Sequence, residues 1–552
     1  MYFFAKMYFF INKFLQKTII DDITHYRLKF IIAKKYKKQI RWDIKIMQRP
    51  FFYDITLRDG NQSLKKPWSL EEKIFIFDKI VELNIPAIEL GFPASSDMDF
   101  EACQTLANRA SENTLVSVLA RAHKNDIDKA LSAIKDAKRA RLHTFITLSP
   151  FHMEHVLNKQ KNEVANIALE AVKYAKTEID KLGKNFDIEF SVEHFGDCKD
   201  NLDFVIETLQ KIVEAGATTI NLPNTVERYR PKVFVEMVER VKNALPNHVT
   251  ISVHNHNDLG MATATTVESF FAGATQLECC LNGLGERAGN TDFNQVAVAL
   301  NNCNIDTGID LSKIYETSLI ISQMSKVKIY EKAPLIGPEA LAHRSGIHQD
   351  GAIKTKEMTF GAYRPIHPNL IGRYDDEKIG FTSQSGKTAI YDIIKALKYP
   401  ITIQESIYLT PIAKSLAESK GELQNNEILD LYFDKICNIK GKFELILFKP
   451  IEKGIFDLYF KFEGIEKRIV GKGNGPLDAC LNALKELGFK LNLSHYKQYA
   501  LDGDEKGSSA RAMSEISILD ENNKLIIARA IDTSTALANV KAVFNALNLS
   551  KF

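Results

Sequence analysis

Two histidines stand two residues apart in the stretch TISVHNHNDLGMA (250–262), His254 and His256, with Asp258 and Gly260 directly behind them. On an extended strand such residues point to the same face, so both imidazoles can be aimed at one ion. The plainer alternative is a hydrogen-bonded pair that finishes a strand. Elsewhere, TLRDGNQS (56–63) sets Arg58 beside Asp59, and NGLGERAGN (282–290) ends on Asn290. Two imidazoles, a carboxylate and an amide oxygen form a mixed N/O set suited to Mg, Mn or Zn, with coordination positions left for a substrate. A guanidinium fixed next to such an ion can stabilise a developing alkoxide, although Arg58–Asp59 could equally be a surface ion pair. Glu193 and His143 could bind substrate or relay protons, or simply pack.

These residues meet only if the fold brings them together. From residue 50 to about 300, short β-rich runs alternate with helical patterns: 51–57, 87–92, 115–120, 141–146, 187–192, 218–222, 249–254 and 275–281. Eight such runs predict a parallel (β/α)8 barrel, whose chemistry gathers at the C-terminal ends of the strands. Ionisable and polar residues do gather there: Arg58 and Asp59 after the first run, Glu89 in the second, Arg121 ending the third, His143 in the fourth, Glu193 and His194 after the fifth. Asn224 and Thr225 follow the sixth run, His254, His256 and Asp258 close the seventh, and Asn282, Glu286, Arg287 and Asn290 follow the eighth. Strands one, seven and eight are neighbours where a barrel closes, so Asp59 and Asn290 can reach the two histidines. Asp258 is expected to cap the following helix.

The chain divides by pattern into an N-terminal extension (1–47), the barrel (48–325), a helical accessory region (326–428) and a C-terminal domain (429–552). In the last, KRIVGKGNGPLDACLNALKEL and KLIIARAIDTSTALANVKAVFNAL repeat one plan of apolar strand, small-residue turn and Ala-rich helix, which predicts a duplicated α+β domain suited to sensing a ligand. The first 46 residues carry eleven Lys/Arg against Asp21, Asp22 and Asp43, a net +8 that leaves the remainder at −5 within a total of +3. The extension fits neither a transit nor a secretory signal and is expected to be non-essential, with Met47 near the functional start; the alternative is an arm packing on a partner subunit.

The mildly acidic body has no nucleic-acid footprint, and no apolar run reaches the roughly 20 residues that span a bilayer. Seven cysteines without a CxxC pair fit a reduced, cytoplasmic protein. Cys279 and Cys280 are expected to pack in strand eight. SGKT (385–388) lacks the glycine spacing and the leading strand of a phosphate loop.

Taken in order, ITLRDGNQS (55–63), IELGFPASSDMDF (88–100), INLPNTVE (220–227), VHNHNDLGMA (253–262), NGLGERAGN, SGIHQDG (345–351) and SQSGK (383–387) resemble the alpha-isopropylmalate synthase and homocitrate synthase family of acyl-CoA-condensing barrels, specifically its 2-isopropylmalate synthases. The resemblance spans residues 48 to 552. It implies a metal-dependent Claisen condensation of acetyl-CoA with 3-methyl-2-oxobutanoate, feeding leucine biosynthesis. It places the metal on Asp59, His254, His256 and Asn290, and the keto acid on Arg58, His143, Ser191 and Thr225. Glu193 and His348 become candidate bases, with His348 supplied by the partner of a homodimer. Acetyl-CoA is implied as co-substrate, K+ as a candidate activator and leucine as inhibitor; no motif localises the acetyl-CoA contacts. Three features depart from the pattern: Tyr374 stands one position early in GRYDDE, and the loops DGDEKGSSARA (502–512) and AIDTSTA (530–536) match the family's leucine loops only loosely. Homocitrate synthase, citramalate synthase and a catalytically inactive leucine- or metal-binding sensor are the alternatives. Aldolase-type lyases need a cysteine in the loop after strand eight, and carboxyltransferases a lysine at a strand end; the sequence offers neither.

Overall fold

The computed structural model describes residues 49–374, 378–489, 491–501, 510–519 and 524–550. The extension 1–47 and most of the 502–512 loop lie outside them. The described chain forms two compact units, residues 49–340 with 368–374, and residues 341–367 with 378–550.

The first unit is a closed barrel of eight parallel strands, each paired with the next and β8 with β1. The strands are β1 (Phe51–Asp54), β2 (Ala87–Glu89), β3 (Leu115–Arg121), β4 (Ala140–Thr147), β5 (Asp187–Glu193), β6 (Thr219–Asn224), β7 (Thr250–Asn255) and β8 (Gln276–Cys279). Helices α1 (Leu70–Glu82), α2 (Asp97–Arg109), α3 (Lys124–Ile134), α4 (Pro150–His155), α5 (Lys161–Lys181), α6 (Leu202–Glu214), α7 (Pro231–Ala244), α8 (Ala262–Phe271), α9 (Phe293–Asn302) and α10 (Ile314–Ser325) connect and follow them. Helix starts are locally encoded. Ser69 and Glu72 form a reciprocal capping box on α1, and the Ser96 and Asp292 side chains cap α2 and α9.

Strand residues alternate between two environments. Phe52, Ile88, Leu142, Ile188, Val253 and Leu277 are buried in the core, and Phe52 meets Phe293 of α9 edge to face at 5.3 Å. Their neighbours in sequence, Tyr53, Glu89, Arg141, Glu189, Ser252, Gln276 and Glu278, are also buried but hydrogen-bond to one another, so the barrel interior holds a polar layer. The strand expected over 51–57 stops at Asp54, whose carboxylate accepts the backbone N–H and the hydroxyl of Thr56, both at 2.9 Å. Thr56–Gly60 then form one wide π-type turn carrying Arg58 and Asp59. The strand expected over 275–281 likewise closes at Cys279. Cys280 follows it, its backbone N–H bound to Thr291 O at 3.0 Å, and both thiols are pushed well up by burial.

The second unit opens with β9 (Ala342–His343), α11 (Gly346–Lys354), β10 (Lys378–Ile379), α12 (Lys387–Ala396), α13 (Ile403–Lys420) and α14 (Asn425–Tyr432). Two βββα modules follow: β11 (Phe443–Glu452), β12 (Ile455–Phe462), β13 (Ile465–Lys472) and α15 (Pro476–Glu486), then β14 (Asn492–Ala500), β15 (Ala512–Leu519), β16 (Leu525–Asp532) and α16 (Thr535–Leu549). Each module is an antiparallel three-stranded sheet ending in a helix, so the duplication expected from the tail is present. The two modules share a core in which Phe460 meets Phe544 edge to face at 5.4 Å.

Candidate active site

The C-terminal ends of the barrel strands surround a cavity of about 270 Å³. Of the residues assigned a role in the site from sequence, Arg58, Asp59, His143, Ser191, Glu193, Thr225, His254 and His256 line it. Asn290 adjoins them, bridging His256 through backbone pairing and donating Nδ2 to Asp59 Oδ1 at 2.7 Å. Phe92, Leu119, Phe145 and Pro223 supply apolar wall, and Glu286 and Arg287 stand at its edge. His348 lies in the second unit on α11, its ring stacked on Tyr363 at 3.9 Å. Tyr374 belongs to the barrel unit and is exposed.

Two polar clusters occupy the cavity floor. In one, Glu89 accepts from Arg58 Nε at 2.5 Å and His143 Nδ1 at 2.6 Å, while His143 Nε2 faces Ser191 Oγ at 2.7 Å. Burial works against every charge here, but the Arg58 guanidinium and His143 outweigh it and hold the Glu89 carboxyl down at about 2. Burial likewise opposes the imidazolium, yet the Glu89 carboxylate raises His143 above its ordinary value. Arg58–Glu89–His143 is therefore a buried ionic cluster, and the Arg58–Asp59 pair beside it is buried too, not at the surface as the sequence had left open.

In the other, Asp59, His254 and His256 bring ligand atoms within 4.8 Å of one another. Arg58 Nη1 binds Asp59 Oδ2 at 2.5 Å, and His254 Nε2 lies 3.2 Å from His256 Nε2. Burial alone would raise the Asp59 carboxyl, but chiefly the Arg58 guanidinium holds it well below the usual range. Burial pushes His254 down to about 4 and His256 down to about 3, leaving both rings neutral with lone pairs to give. The donor set fits a divalent ion. Asn290 Oδ1 and His256 Nδ1 are buried without hydrogen-bond partners. As placed, Asn290 is a donor to Asp59. Turning its amide by 180° would set oxygen against carboxylate, which only an intervening cation makes favourable.

Sequence reasoning passed over two acids that hold the site. Glu89 was counted among the ionisable groups at the strand ends but given no role, and Glu278 was not noted. Glu278 Oε2 contacts His254 Nδ1 at 2.9 Å and its Oε1 accepts from Ser252 Oγ at 3.1 Å. The available signal was an acid inside an otherwise apolar run, IELGF or QLEC. Asp258 does not cap α8; it pairs with Arg287 at 2.8 Å. Glu227 instead accepts from the backbone N–H groups of Leu259 (2.5 Å) and Met261 (3.0 Å). Its carboxylate reaches there from the loop after β6, while Asp258 is turned towards a cation. Glu193 faces the cavity, and burial raises its carboxyl above the ordinary range.

Residues 49–321 match the HMGL-like family, residues 340–395 the alpha-isopropylmalate synthase post-catalytic domain-like family, and residues 452–551 the LeuA allosteric (dimerisation) domain. The chain is 49% identical to the 2-isopropylmalate synthase 2 of Leptospira interrogans over 69% of its own length and 88% of that protein's. It is 35% identical to the 2-isopropylmalate synthase of Pyrococcus furiosus over 90% of its own length and 98% of that protein's. A solved HMG-CoA lyase from Brucella melitensis aligns with 50% of the chain and 99% of its own, at 19% identity and a TM-score of 0.43.

Proposed function

The chain belongs to the 2-isopropylmalate synthase family, and we propose that it condenses acetyl-CoA with 3-methyl-2-oxobutanoate and water to give (2S)-2-isopropylmalate and CoA, the committed step of leucine biosynthesis. The observation that carries this reading is 35% identity along 98% of the Pyrococcus furiosus synthase.

Asp59, His254, His256 and, with its amide turned, Asn290 would hold a divalent ion, Mg2+, Mn2+ or Zn2+. Such an ion supplies electrophilic polarisation of the keto acid's carbonyl. Arg58, anchored by Glu89, offers its remaining N–H groups to the oxygen that becomes the alkoxide. His143, Ser191 and Thr225 orient the keto acid, and the wall of Phe92, Leu119, Phe145 and Pro223 suits a branched aliphatic side chain. A distal carboxylate, as in 2-oxoglutarate, would find no cation among those four. The methyl proton of acetyl-CoA goes to Glu193 or to His348. Glu193 lines the cavity and its raised carboxyl is a stronger base than an exposed one. Water then hydrolyses the thioester.

On this reading residues 48–325 are catalytic, 326–428 accessory and 429–552 regulatory, with leucine as inhibitor. The working unit is a cytoplasmic homodimer. Among the described residues no helix is long and apolar enough to cross a membrane. The βββα modules expose Ile446, Ile465, Val470, Leu493 and Tyr496 on their strands, apolar surface of the kind a second copy covers.

The test is CoA release from acetyl-CoA across a panel of 2-oxo acids, with and without divalent metal. Release with 3-methyl-2-oxobutanoate is expected to exceed that with pyruvate or 2-oxoglutarate. Preference for either of those moves the chain to citramalate or homocitrate synthesis, and no release with any acid leaves the inactive sensor. Asp59→Ala is expected to abolish metal-dependent turnover, and retained activity in that variant would remove Asp59 from the site.

A further inference from the structure

Glu278 sits in the middle of β8, fully enclosed, and does not line the cavity, yet one of its oxygens lies 2.9 Å from a nitrogen of His254. We propose that Glu278 is the positioning residue of the metal centre: it fixes the tautomer and ring plane of His254 so that Nε2, and not Nδ1, faces Asp59 and His256. The inference rests on reading the Asp59–His254–His256 cluster as a divalent-metal site.

As a carboxylate Glu278 only accepts, which puts the proton on His254 Nδ1 and the lone pair on Nε2. Glu278 cannot rotate away, because its second oxygen accepts from Ser252 Oγ at 3.1 Å. Ser252 Oγ in turn accepts from Gln276 Nε2 at 3.0 Å. Arg141 Nη1 donates to Gln276 Oε1 at 2.6 Å, so the whole row of side chains is tied inside the barrel. The other histidine has no such support: His256 Nδ1 is buried without a partner. His256 is held instead through its backbone, which bridges Asn290 and donates to Asn224 O at 3.3 Å. One ligand is thus set by a side chain and the other by the main chain. Loss of the Glu278 carboxylate should therefore loosen the ion by way of His254 alone. Partners of this kind typically change metal affinity 10- to 100-fold.

The experiment uses the full-length protein, stripped with a chelator and titrated with Mn2+ while the free ion is followed by electron paramagnetic resonance. Wild type is expected to take up the ion, and Asp59→Ala to lose it. A wild type that binds no Mn2+ overturns the metal reading and this inference with it. With wild-type binding established, Glu278→Gln is expected to raise Kd about 10- to 100-fold and to shift the visible absorption of the Co2+-loaded protein. Ser252→Ala, which removes only the hydroxyl steadying the carboxylate, is expected to raise Kd about two- to five-fold. Wild-type Kd and an unchanged Co2+ spectrum in a folded Glu278→Gln protein overturn the proposal. If that variant does not fold, wild-type Kd in Ser252→Ala overturns it.

Discussion

At the scale of single residues, Glu89 and Glu278 hold the groups around the cavity without lining it themselves. Glu89 is the shared acceptor of Arg58 and His143, so its charge places two groups at once. Glu89→Gln keeps the shape and removes the charge. Losing a charge-assisted hydrogen bond costs about 1.5–3 kcal/mol, so kcat/KM for the keto acid is expected to fall roughly 10- to 150-fold, read by steady-state CoA release. An unchanged kcat/KM would show that Arg58 and His143 find their places without it. The residues legible in sequence were those at strand ends, where a polar group follows an apolar run and has few reasons to be there except chemistry. His254, His256, Asp59 and Arg58 announced themselves in this way. Glu89 was counted with them but without a role, and Glu278 went unnoticed, because an acid inside a strand reads as its solvent face; only the closed barrel reveals that this face has no solvent.

At the scale of elements, the alternation of strand and helix was readable, whereas the one cap expected, Asp258 on α8, does not form, and the ends of strands depended on contacts remote in sequence or on one local side chain. The stop of β1 at Asp54 is set by a carboxylate bonded to Thr56, and the N-terminal turn before α8 by Glu227, 32 residues from Leu259. The small-residue turns of the tail were legible as a repeat, and each lies between the last strand and the helix of its module. One tie within the second unit could not be read at all. Arg529 of β16, almost fully buried, donates to Glu515 Oε2 at 2.7 Å and also binds Glu405 of α13. Removing one partner of a buried charge cluster costs about 3–5 kcal/mol, so Arg529→Met should lower the denaturant midpoint of the second unit's transition. The barrel's transition gives the internal reference. A midpoint equal to wild type would mean that the two acids find other partners when the arginine is lost.

At the scale of the whole molecule, the homodimer and the regulatory tail remain proposals with direct tests. If His348 is supplied in trans, mixing Arg58→Ala chains with His348→Ala chains should restore part of the CoA release that each lacks alone, since one hybrid site then carries both intact residues. No recovery after subunit exchange would favour a site built within one chain. Leucine added to the full-length protein is expected to lower CoA release with little effect on Mn2+ uptake; no inhibition at millimolar leucine would remove it as effector. Barrel closure itself has a further consequence. β1 pairs with β8, and the hydrogen bond from Asn290 to Asp59 spans 231 positions. During synthesis the first of these residues waits for nearly the whole ring to follow, and no nascent barrel still short of β8 can assemble the cluster. Completing the ring and assembling the Asp59–His254–His256 cluster are therefore a single event in the folding of this chain.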